Sequence, residues 1–157
     1  MPVGTICVRN VDVARGDESV RAGAQRMQAR NVGALIVVNA GHEPVGIVTD
    51  RDLAVRVLAE GLDPSQALIG DVMTRSPTCA SSEETIEEAL RIMRKGSFRR
   101  LPVVDRAGKL SGVVCLDDIL DLLSQEFRDI GRLLAKEGPE SMAQECAGVG
   151  GKSCVHA

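Results

Sequence analysis

The sequence predicts an α/β (α+β) fold in which one folding unit is used twice. Three observations lead there. Sliding the chain by 66 residues registers its halves without a gap: Gly46 meets Gly112, Val48 meets Val114 and Asp52 meets Asp118. Within each half, apolar residues at helical spacing alternate with short aliphatic runs. The 157 residues suffice for one ordinary domain or two small ones sharing a core.

Each half reads as short strand, helix, strand, strand, helix. "SVRAGAQRMQAR" (19–30) and "TIEEALRIMRKG" (85–96) are the first helices. Ser19 and Thr85 stand at their starts as N-caps, and Glu88 completes a capping box with Thr85. Val20, Ala24 and Met27 fall on one face, as do Ile86, Leu90 and Met93. The runs "ALIVVN" and "PVGIVT", then "RLPVVD" and "KLSGVVC", are strand pairs. Gly41-His42-Glu43 and Arg106-Ala107-Gly108 are their turns. "DRDLAVRVLAEG" (50–61) is the closing helix of the first half, and residues 116–136 form a longer one in the second.

These elements divide the chain into unit 1 (3–61), a linker (62–68), unit 2 (69–136) and a flexible tail (137–157). A unit of about 60 residues buries too little to stand alone. Two units packed sheet to sheet with pseudo-two-fold symmetry solve that. Ile119, Leu123, Phe127, Ile130 and Leu134 form an apolar stripe on the long helix. Its first half is expected to pack on its own domain; its second half covers either that domain or a partner chain.

Composition narrows the function. Aromatic residues make up 1% of the chain, which disfavours a single-strand nucleic-acid platform built on base stacking. The net charge of −3 disfavours a phosphate-backbone partner. No apolar run approaches the ~20 residues of a membrane span, and no signal peptide is visible. Five irregularly spaced cysteines suit a reducing compartment, so a cytoplasmic location is expected. No nucleophile and base recur at matched repeat positions, so no enzyme is expected. Cys146, Cys154 and His156 in the tail match no strong zinc spacing.

The repeated strings "GIVTDRDL" (46–53) and "GVVCLDDI" (112–119) carry the chemistry. In each, an apolar strand runs into a polar turn at a helix start, giving a dry wall beside N–H donors. A carboxylate there can accept hydrogen bonds from a vicinal diol. Either acid alone would read as an ordinary first-turn residue. Their recurrence at one point of a duplicated unit favours a ligand role for Asp52 and its mate Asp118.

With "GALIVVN" and "RRLPVVD" upstream, these strings resemble those of a tandem CBS-domain protein of the bacterial stand-alone type, over residues 3 to about 124. The domain is named for cystathionine β-synthase, and a pair of them is a Bateman module. Such modules characteristically bind adenine nucleotides or related adenosyl ligands between their two units, and commonly pair into disk-like homodimers. The resemblance implies a main pocket in which Asp52 holds the ribose hydroxyls beside Thr49, Ile47 flanks adenine without ring stacking, and Thr78 meets the base. Arg99, Arg100 and Pro102 would line the far wall, the arginines facing phosphate. It also implies a second pocket with Asp118, Asp12 and Cys115. There Cys115 stands in place of the family's usual Ser or Thr, and Gly33 and Ala34 stand opposite where the first pocket has arginines. That site is expected to hold an uncharged adenosyl group, bind weakly or stay empty. The implied function is regulatory: an adenine nucleotide (AMP, ADP or ATP) or other adenosyl compound acts as ligand rather than required cofactor, and a protein target of unknown identity reads the resulting shape change. The alternative is a ligand-independent dimerisation or docking scaffold with vestigial pockets.

Overall fold

The computed structural model describes residues 1–136, so the tail with Cys146, Cys154 and His156 lies outside the described residues. Met1–Ile119 form one compact body, and the described residues from Leu120 are a second. The elements are β1 (Val13–Ala14), α1 (Val20–Arg30), β2 (Ala34–Val38), β3 (Pro44–Thr49) and α2 (Asp50–Leu53) in the first repeat. Next come α3 (Ile69–Val72) and β4 (Thr74–Arg75), then β5 (Ala80–Ser81), α4 (Ile86–Gly96), β6 (Arg100–Val104), β7 (Leu110–Cys115) and α5 (Leu116–Lys136).

The helix ends follow local chemistry. Ser19 Oγ accepts from the Ala22 N–H at 3.2 Å. Thr85 and Glu88 cap each other reciprocally, with Thr85 N–H donating to Glu88 Oε2 at 2.9 Å. Both helices stop on a left-handed residue, Asn31 at φ 53° and Ser97 at φ 55°, again 66 positions apart. The helix expected over 50–61 is α-helical only to Leu53, and Ala54–Leu58 continue as a wider π-helical turn. That turn carries Arg56, whose guanidinium donates to Val72 O at 2.6 Å and pairs with Asp52 at 3.4 Å.

The hairpins pair as their sequences imply. β2 and β3 are antiparallel, as are β6 and β7, with register shifts at the equivalent steps Val37/Val38 and Val103/Val104. Leu35, Val37 and Val48 lie in the core of the first repeat, matched by Leu101, Val103 and Val114 in the second. Apolar burial of these aliphatic side chains is the main stabilising term.

The two sheets are completed by exchanged segments. β4 lies past the linker, yet it pairs with β3 of the first repeat: Gly46 faces Arg75 and Ile47 faces Thr74. Reciprocally, the N-terminal segment docks on the second repeat. Val3 N–H donates to Glu84 O at 2.7 Å, Gly4 N–H to Ser82 O at 3.0 Å, and Val8 bridges antiparallel to Val113. Each strap crosses a strand glycine. A Cβ on Gly112 would lie 2.7 Å from Cys7 Sγ, and one on Gly46 would collide with the Met73 thioether. Close packing of the crossing strap accounts for the glycine that opens both strings, against the Met73 side chain at Gly46 and against Cys7 and the Val8 carbonyl at Gly112.

In α5, Ile119 is fully buried and belongs to the compact body. Leu123, Phe127, Ile130 and Leu134 form the exposed remainder of the stripe, joined by Leu120 and Leu133. Among the described residues, no helix is long and apolar enough to cross a membrane.

Candidate functional site

The start of α2 is a capping box. Thr49 N–H and Oγ1–H both donate to Asp52 Oδ2, at 2.9 and 2.8 Å, while Asp52 N–H donates back to Thr49 Oγ1 at 3.2 Å. Asp52 is therefore a first-turn acid, but not only that. Its second oxygen, Oδ1, meets Arg56 at 3.4 Å, longer than a charge-assisted hydrogen bond, and retains acceptor capacity. The carboxylate lines a cleft of about 260 Å³ together with Ile47, Thr49, Thr78, Phe98 and Arg100. Thr74, Ser76 and Pro77 complete its wall. An acid, a guanidinium and several hydroxyls thus surround an otherwise apolar floor.

Two expected residues stand elsewhere. Arg99 does not line this cleft: its guanidinium pairs with Asp117 at 3.0 Å in an exposed bridge. Arg99 lies in the bend just before β6, outside the strand that presents Arg100. Pro102 shares the face of Arg100 but lies about 7 Å deeper along the strand. It is fully buried opposite Val113 and is part of the core.

One aromatic residue was not anticipated as a wall. Phe98 lines the cleft, and its ring lies over Gly96, where any Cβ would overlap it. The sequence offered a signal: Phe98 is one of only two aromatic residues and sits two positions before Arg100. Ser76 adopts φ 52°, which turns the chain between β4 and the Pro77–Thr78 wall.

A second cleft, of about 200 Å³, contains Asp12, Cys115 and Asp118. Cys115 N–H donates to Asp118 Oδ2 at 3.1 Å, the equivalent of the Thr49–Asp52 contact. Burial raises the Cys115 thiol above its ordinary pKa, with Asp118 reinforcing the shift and Arg100 opposing it. Asp12 is held by Arg30 at 2.8 Å. Ala34 stands on the opposing wall, as expected; the guanidinium at this cleft is Arg100, which comes from the same side as Cys115 and Asp118, as the ladder neighbour of Cys115. Cys79 lines neither cleft, and burial raises its thiol pKa.

The CBS domain family matches residues 3–59 and 69–125. An uncharacterized protein of Methanopyrus kandleri is 33% identical over 120 residues, which are 76% of this chain and 61% of that protein. The crystal structure of the CBS domain pair of protein MJ0100 in complex with 5′-methylthioadenosine and S-adenosyl-L-methionine is 26% identical. It superposes with a TM-score of 0.71 over 80% of this chain and 98% of that one. Hypoxic Response Protein I, whose crystal structure holds two coordinated zinc ions, is 30% identical. Its TM-score is 0.71, over 77% of this chain and 98% of that one.

Proposed function

This chain belongs to the CBS-domain family, and from that premise we propose that it is a non-catalytic regulatory module whose main cleft binds an adenosyl ligand. The observation that carries the proposal is the placement of Asp52. The capping box holds its carboxylate rigidly at the cleft, with Oδ1 available to a ribose diol. Arg100 supplies a guanidinium to an anionic substituent on that ribose, and Phe98 with Ile47 and Pro77 supplies apolar surface to the base. The likeness to the MJ0100 pair, which holds two adenosyl compounds, supports this class of ligand.

Signalling in this reading is a population shift. The cleft draws wall from both repeats, Thr49 and Asp52 from one, Phe98 and Arg100 from the other. A ligand touching both favours the arrangement in which they fit it, by no more than its differential affinity for that arrangement. The exposed α5 stripe supports a homodimer as the reader of the shift, with a further protein target downstream.

The test is calorimetric titration with AMP, ADP, ATP, 5′-methylthioadenosine and S-adenosylmethionine. Asp52→Asn keeps an oxygen for the Thr49 cap but removes the charge, and should weaken the best ligand about tenfold or more. The 2′-deoxy form of that ligand should lose affinity on the native chain and lose little more on Asp52→Asn. Equal affinity of the native chain and the variant for the ribose form would reject the site. No binding by any of these compounds would leave the docking-scaffold reading.

A further inference from the structure

The two clefts are images of each other under the 66-residue shift. Thr49 and Asp52 map onto Cys115 and Asp118, and Thr78 and Phe98 map onto Asp12 and Val32; each lines its respective cleft. The correspondence breaks at one position. Arg100 maps onto Ala34, and Ala34 lines the second cleft alone, whereas Arg100 lines both.

Arg100 is also the cation left available there. Arg56 is turned to Asp52, Arg30 to Asp12 and Arg99 to Asp117. Arg100 has no ion-pair partner among the described residues. It faces Cys115 across the β6–β7 ladder and is close enough to influence that thiol, which fixes its place beside the second cleft as well as the first. Without it, the second cleft presents Asp118 uncompensated and Asp12 already neutralised by Arg30. An anion there would meet net negative charge. A guanidinium carries one positive charge, so it offsets the charge of one phosphate and not of two.

We propose that Arg100 is a single cation shared by two clefts, so that a phosphate-bearing adenosyl ligand fills only one of them at a time while the other accepts an uncharged or cationic adenosyl compound. This rests on the adenosyl-binding reading above and adds a charge rule to it. The two clefts are coupled through one side chain, and the negative coupling applies between anionic ligands.

The experiment is isothermal titration calorimetry of the full chain with AMP and with uncharged 5′-methylthioadenosine. AMP should saturate at one equivalent, with any second equivalent weaker by about thirtyfold or more. The AMP-saturated protein should then take one equivalent of 5′-methylthioadenosine. Ala34→Arg gives the second cleft its own guanidinium and should raise the AMP stoichiometry to two. Ala34→Lys serves if the arginine variant does not fold, as judged by circular dichroism and melting. Two AMP equivalents of similar affinity on the native chain would overturn the shared-cation proposal alone. So would a folded Ala34 variant that still takes one AMP while binding 5′-methylthioadenosine beside it. A native chain that binds neither compound would overturn the adenosyl reading, and this proposal with it.

Discussion

Asp52 shows how one side chain can close a helix cap and line a cleft together. Its Oδ2 closes the capping box, its Oδ1 keeps acceptor capacity beside Arg56, and the residue lines the cleft. Asp52→Ala should therefore lose both: affinity as described above, and about 1 kcal/mol of stability from the cap, read by denaturant titration. His42 makes a separate case. It holds φ 65° at the position where the second repeat has Gly108 at φ 78°. A left-handed conformation strains a residue with a Cβ, so His42→Gly should be neutral to stabilising by up to about 1 kcal/mol, measured by thermal melting. Legibility at this scale was uneven. The placement of Asp52 and Asp118 at the two clefts was legible because they recur in matched strings. Arg99 and Pro102 were misplaced because sequence shows neither where the strand begins, which leaves Arg99 in the bend before it, nor how deep along the strand the cleft reaches.

At the scale of the elements, the Ser19 and Thr85 caps and both hairpins were readable, because each depends on contacts within a few residues. The face of α1 was read one position off: Val20, Gly23 and Met27 are buried and Ala24 is exposed, because Ile69, from beyond the linker, packs on Gly23. The π-helical turn at Ala54–Leu58 was not readable, since Arg56 is anchored there to Val72 O, 16 residues away. The same contrast separates the two β1–α1 and β5–α4 corners. Glu18 accepts from Arg15 N–H at 2.7 Å and from Arg26 at 2.5 Å. Its equivalent Glu84 accepts from Ser81 N–H, but Ile92 stands where Arg26 would be. Burial pushes the Glu18 carboxyl up, yet the Arg26 and Arg15 hydrogen bonds and the Arg26 charge outweigh it and leave the pKa below 4.5. A lowered folded-state pKa contributes stability above the unfolded value and loses it as pH falls through the folded one. Glu18→Gln should thus cost about 1–2 kcal/mol near pH 7. The gap between variant and native chain should close as the solution is acidified below about pH 4, in parallel urea titrations.

At the scale of the whole molecule, the duplication was legible and the exchange of straps was not. A repeat in sequence shows that two units exist; it does not show that residues 3–8 complete the second sheet and β4 the first. The exchange also builds the site, because the wall residues Thr74, Ser76 and Thr78 arrive on the segment that starts with β4. A consequence reaches beyond the cleft. Because each sheet borrows its edge from the other half of the chain, the halves are clasped rather than merely adjacent. A single cut between Gly61 and Pro64 should leave two fragments that stay locked together and melt as one, whereas either fragment made by itself would lack its borrowed edge.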